Sequence, residues 1–164
     1  MQRMRFLAMM TTMVVVSALP ALAGGGIFHS GELEDLAPDE APTDRGWAVA
    51  SATVTGDRTV VVFNVKGLDR SAAGLMFGAH VQTGPCIAGD GAAAGGHYNA
   101  GGEASPETEV WLDFRVTRGG TGHATAVVPF AIAPGTAHSI VIHALPTDPS
   151  GAAGARLACI PLEF

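Results

Sequence analysis

From Trp47 onward, apolar and polar positions alternate in short runs separated by glycine and proline. Trp47–Val54 alternates loosely, Gly56-Asp57 supplies a turn, and Thr59–Val65 continues as a second run rich in β-branched residues. That combination predicts a β-hairpin. Further strands are expected over Met76–Gln82, Val110–Val116, Ala124–Phe130, Ser139–His143 and Leu157–Leu162, with Gly119–Gly122 forming a turn. No stretch sustains a helical period with caps, and no internal repeat is visible. Many short strands with Gly and Pro turns predict an all-β sandwich or barrel. The longest irregular region, Thr83–Thr108, is expected to be a functional loop.

The N-terminal part has a different pattern. Two arginines lie within Met1–Arg5, an apolar run extends through Val16, and Ala21-Leu-Ala23 offers small residues. These features predict a secretory signal peptide cleaved after Ala23, and the run is too short to span a bilayer. The protein is therefore expected to be exported, to a periplasm or out of the cell. Residues 24–46 are rich in Gly, Asp, Glu and Pro and read as a flexible acidic leader. His29 in that leader reads as a solvated tail histidine, with a terminal metal-binding role as the alternative. Residues 47–164 form the expected domain, a length that suits a single core.

Charge narrows the partners. The whole chain has nine basic and fifteen acidic side chains, and loss of Arg3 and Arg5 leaves seven basic ones. Such an acidic protein is not expected to bind nucleic acid or, in its mature form, an anionic membrane. An anionic substrate would need a local positive group. Cys86 and Cys159 are the only cysteines. In an exported chain they most simply form one disulfide, with a copper-thiolate role as the sharper alternative. Closing so long a loop is worth on the order of 4 kcal/mol in the chain-entropy description.

The candidate chemistry centres on Gly78-Ala-His-Val-Gln82 and its continuation to Asn99. His80 and Gln82 are two apart, so an extended strand presents both on one face. His97 follows a pair of glycines, and His143 ends an apolar run. Taken alone, His143 can be read as a satisfied core histidine; His123 and His138 read as ordinary loop or strand-edge residues.

Three patterns occur in order: Lys66-Gly-Leu68 with Gly78–Gln82 and Cys86, then Ala94–Asn99, then Ser139–His143 with Ala153–Cys159. Together they resemble the copper/zinc superoxide dismutase family over roughly Trp47 to Phe164, the closing arginine and cysteine segment being the most specific part. The resemblance implies a Greek-key β-barrel, or flattened sandwich, with copper on an outer face and superoxide as substrate. It puts the family's copper histidines at His80, Gln82, His97 and His143, with His97 the one that bridges copper and zinc. It also implies a substrate-attracting role for Arg156, for which pairing with a loop carboxylate such as Asp148 is the alternative, and a disulfide between Cys86 and Cys159. Both dimers and monomers occur in the family, so the motifs set no oligomeric state.

Two departures modify the expectation. No histidine other than His97 lies between it and Gly122, and Asp113 falls within an expected strand, so zinc is not expected. Gln82 replaces a histidine, and an amide oxygen is a weaker, harder ligand that suits Cu(I) poorly. A copper-dependent dismutase of the zinc-less kind is the leading expectation. A non-enzymatic copper-binding or structural module on the same scaffold is the alternative.

Overall fold

The computed structural model describes residues 26–37 and 39–164. The expected signal peptide lies outside the described residues. The chain forms β1 (Gly26–Glu32), β2 (Glu34–Asp35), β3 (Trp47–Thr55), β4 (Arg58–Lys66), a 3-10 turn at Arg70–Ala72, β5 (Met76–Phe77), β6 (Ala79–Gln82), β7 (Phe114–Arg115), β8 (Gly122–Val128), β9 (Ser139–His143) and β10 (Arg156–Pro161). Two antiparallel four-stranded sheets result, ordered β1-β3-β4-β8 and β2-β10-β9-β6, with β5 and β7 as a small separate pair. The all-β expectation holds, in the form of a flattened sandwich of open sheets.

The hairpin forms where the alternation placed it. Ala48, Ala50 and Ala52 on β3 face inward with Val61, Phe63 and Val65 on β4. Thr55 pairs with Arg58, leaving a two-residue loop in which Gly56 takes φ +60°, a conformation an L side chain resists. From the second sheet, Ala79, Val81, Ile140, Ile142, Ala158 and Ile160 complete the core. Thr59 is buried between the layers, where its hydroxyl donates to the Phe130 carbonyl and accepts from Ile132 N–H (2.8 and 3.1 Å).

Two expectations need correction. The acidic leader is not flexible throughout: β1 pairs with β3 along its whole length, and β2 pairs with β10. Leu33, the single residue between β1 and β2, is buried, as is Leu36. Acidic side chains there lie on the exposed positions of an edge, which charges commonly protect. Composition therefore concealed an alternating strand. The expected strand Val110–Val116 is also reduced to Phe114–Arg115. Its inward residues Val110, Leu112, Phe114 and Val116 are all buried, but only scattered bonds, such as Leu112 N–H to the Ala79 carbonyl (2.7 Å), join it to β6.

β6 and β9 are buried along their full length. Strands covered on both faces have no solvated side. Ala79, Val81, Ile140 and Ile142 enter the core, whereas His80, Gln82, Val141 and His143 face away from it under the long 83–113 loop. Cys86 and Cys159, 73 residues apart, form a disulfide that ties this loop to β10. Leu36, Ala94, Val141 and Cys159 pack together around that tie. Gly84 allows the loop to close on itself, because a Cβ there would collide with the Ala93 and Ala94 backbone.

Candidate metal centre

His80, His97 and His143 converge although they come from a strand, a loop and another strand. Their ring centroids are 3.9 Å (His80–His97), 4.9 Å (His80–His143) and 5.5 Å (His97–His143) apart. One nitrogen from each lies within 4.8 Å of the others. His80 and His143 are buried, and His97 is half-buried.

Each ring is held through its other nitrogen. His97 Nδ1 donates to Glu109 Oε2 at 3.0 Å. Glu109 is buried and also accepts from Trp111 Nε1 (2.9 Å) and Asn99 Nδ2 (3.2 Å). A carboxylate only accepts, so the Nδ1 proton is fixed and the lone pair is left on Nε2. His80 Nε2 lies 2.7 Å from Thr147 Oγ1. That hydroxyl gives its single proton to Asp113 Oδ1 (2.5 Å), while Thr147 N–H donates to Asp113 Oδ2 (2.8 Å). Thr147 must therefore accept from His80 Nε2–H, which leaves the His80 lone pair on Nδ1. That Nδ1 is buried and has no hydrogen-bond partner among the described residues. His143 Nδ1 donates to the Gly154 carbonyl at 3.2 Å, freeing its Nε2.

Each of the three rings thus keeps one nitrogen free of a proton, and the rings stand close enough to share one ion. Protonation of His80 and His143 is opposed. Burial, followed by the neighbouring His97 and His143 rings, pushes His80 down to about 2. Burial likewise brings His143 down to about 4, the Gly154 bond and Asp113 opposing the shift and His97 and Arg156 adding to it. The buried His80 Nδ1, without a partner among the described residues, is the kind of lone pair a metal ion satisfies. The donor set fits copper, since neutral imidazole suits it in both oxidation states.

Gln82 is fully buried on the same face as His80, with its Nε2 3.5 Å from His143 Nε2 and its Oε1 without a hydrogen-bond partner among the described residues. Arg156 pairs across the β10–β9 ladder with His143, and its guanidinium donates to the carbonyls of Gly91 and Gly95. Among the described residues it forms no ion pair. Asp148, the carboxylate considered for it, instead accepts from Ser150 and Ala152 in its own loop. His29 lies in β1, His123 bonds Asn64, and His138 pairs with Glu163, all apart from the cluster.

Glu109, Thr147, Asp113 and Trp111 were not legible as site residues. The alternation of 109, 111 and 113 against buried 110, 112 and 114 was the available signal, because it puts those three side chains opposite the core. No protein-family model matches the chain, and no curated protein matches it, so the site is read from its own geometry.

Proposed function

We propose that this is an exported, zinc-less copper protein of the superoxide dismutase type, converting two superoxide ions and two protons into oxygen and hydrogen peroxide. The observation that carries the reading is the set of three histidines, each held in a tautomer that leaves one ring nitrogen unprotonated, with one nitrogen of each within 4.8 Å of the others. His80, His97 and His143 would hold copper, which supplies alternating one-electron oxidation and reduction when bound. The resemblance of the His80, His97, His143 and Arg156 segments to that family, in the same order, supports the reading, as does a disulfide suited to an oxidising compartment.

The chain's own residues have definable tasks. Arg156 adds a fixed positive charge beside His143 in an otherwise acidic protein and would draw a small anion inward. Glu109 accepts a hydrogen bond from His97 Nδ1 and so holds the half-buried ring in one orientation, with its Nε2 lone pair left for the metal. While that bond persists the ring offers one lone pair and bridges no second metal. This favours a zinc-less centre.

Gln82, standing where the resemblance puts a histidine, favours a second reading in which copper is held without turnover. Copper titration of the metal-free protein, followed by superoxide consumption in the same sample, separates the two. One tightly bound copper with turnover that collapses in His143→Ala supports the dismutase. Binding without turnover supports copper holding, and no specific binding overturns both.

A further inference from the structure

We propose that Gln82 is not a ligand to the metal but the hydrogen-bond donor for a small anion bound beside it. This inference rests on the metal-centre reading above and deepens it.

The orientation of the amide is the first argument. His143 commits its Nδ1 proton to the Gly154 carbonyl, so its Nε2 presents a lone pair. The group facing that lone pair at 3.5 Å must be a donor, which is the Gln82 amide nitrogen. An amide nitrogen has no lone pair for coordination. The amide oxygen is the only atom of Gln82 that could ligate, and it is a poor match to Cu(I).

Holding a metal would redistribute the protons and lone pairs around Gln82. The His143 Nε2 lone pair is then committed to coordination, and the Gln82 N–H loses its acceptor. A buried donor without a partner is costly, and Gln82 is fully buried. Three imidazoles leave a coordination position open to a small ligand. An anion there would offer the acceptor that the amide needs.

A fixed positive group is at hand for an anion, and among the described residues no carboxylate near the site is left without partners. Arg156 stands across the ladder from His143. The nearest carboxylates are occupied: Glu109 by His97, Trp111 and Asn99, and Asp113 by Thr147. Because β6 and β9 are buried along their length, the anion we have in mind is a small one, such as superoxide or azide.

The test uses the full, disulfide-intact protein with Cu(II) and azide as probes. Copper affinity is read by competition with a chelator, and azide affinity by charge-transfer absorption and electron paramagnetic resonance. Gln82→Leu and Gln82→Glu should both retain copper to within a few-fold of wild type. Both should bind azide about tenfold or more weakly, since each lacks the N–H. Gln82→Glu preserves polarity at the position and decides the matter should Gln82→Leu fail to fold. Copper lost from Gln82→Leu but kept by Gln82→Glu would identify the oxygen as a ligand and overturn the inference. Unchanged azide affinity in copper-loaded variants would overturn it as well. Folded wild-type protein that binds no copper would overturn the metal-centre reading itself, an outcome distinct from the other two.

Discussion

At the scale of single residues, the histidine lone pairs depend on partners that never face the metal position. Thr147 is the most exposed to test, because its one hydroxyl both receives the His80 proton and donates to Asp113. Thr147→Val keeps the shape and removes both bonds. Copper affinity should fall about 10- to 100-fold, the usual cost of losing such a partner, while bound copper remains at one per chain. Chelator competition measures this, and an unchanged affinity would show that packing alone orients His80.

Protons should act on the same residues. His80 and His143 sit at about 2 and 4 in the fold, against about 6.5 when unfolded. Above that value both states are neutral, and these groups contribute no pH dependence. Below it the unfolded chain binds protons that the fold refuses, so the metal-free protein loses stability as pH falls. The slope is up to about 1.4 kcal/mol per pH unit for each histidine. Urea midpoints of metal-free protein between about pH 7 and pH 5 should therefore decline, and a flat profile would contradict the burial argument.

At the scale of elements, legibility followed how local the determining pattern was. β3, β4 and β9 were readable because inward residues alternate or run apolar within a few positions. β1 was not, since its pairing with β3 is set by a strand some twenty residues later and its own sequence looks acidic and glycine-rich. Hydrogen exchange tests this directly. β1 amides directed at β3 should be protected well beyond random-coil rates, whereas a flexible leader would exchange freely. The candidate site divided in the same way. His80, His97 and His143 belong to compact motifs, whereas His80 meets Thr147 from 67 positions away and Thr147 meets Asp113 from 34. Spacing along the chain carries no trace of such contacts.

At the scale of the whole molecule, a covalent bond and a charged side chain reinforce the backbone bonds, such as Tyr98 N–H to the Val81 carbonyl, that hold the long loop over the second sheet. The Cys86–Cys159 disulfide fastens it to β10, and Arg156 of the same strand grips the Gly91 and Gly95 carbonyls. Reduction should lower stability by on the order of 4 kcal/mol and loosen His97, which the loop carries. Denaturant midpoints with and without reductant check the first effect, and copper affinity under the same conditions checks the second. The described residues contain a disulfide and no helix long and apolar enough to cross a membrane, which is compatible with export.

The strand order also has a consequence in time. β2 lies near the beginning of the domain, yet its partner is β10, the final strand. In a chain made or delivered N-terminus first, β1 can join the β3–β4 hairpin early, whereas Glu34 and Asp35 must wait for Ala158 and Cys159 to arrive. The same late segment brings Arg156 and the second cysteine. Half of the sandwich can thus assemble while the rest is still emerging, but the metal position becomes enclosed only as the final strand docks. Closure of the site thus waits on the docking of β10.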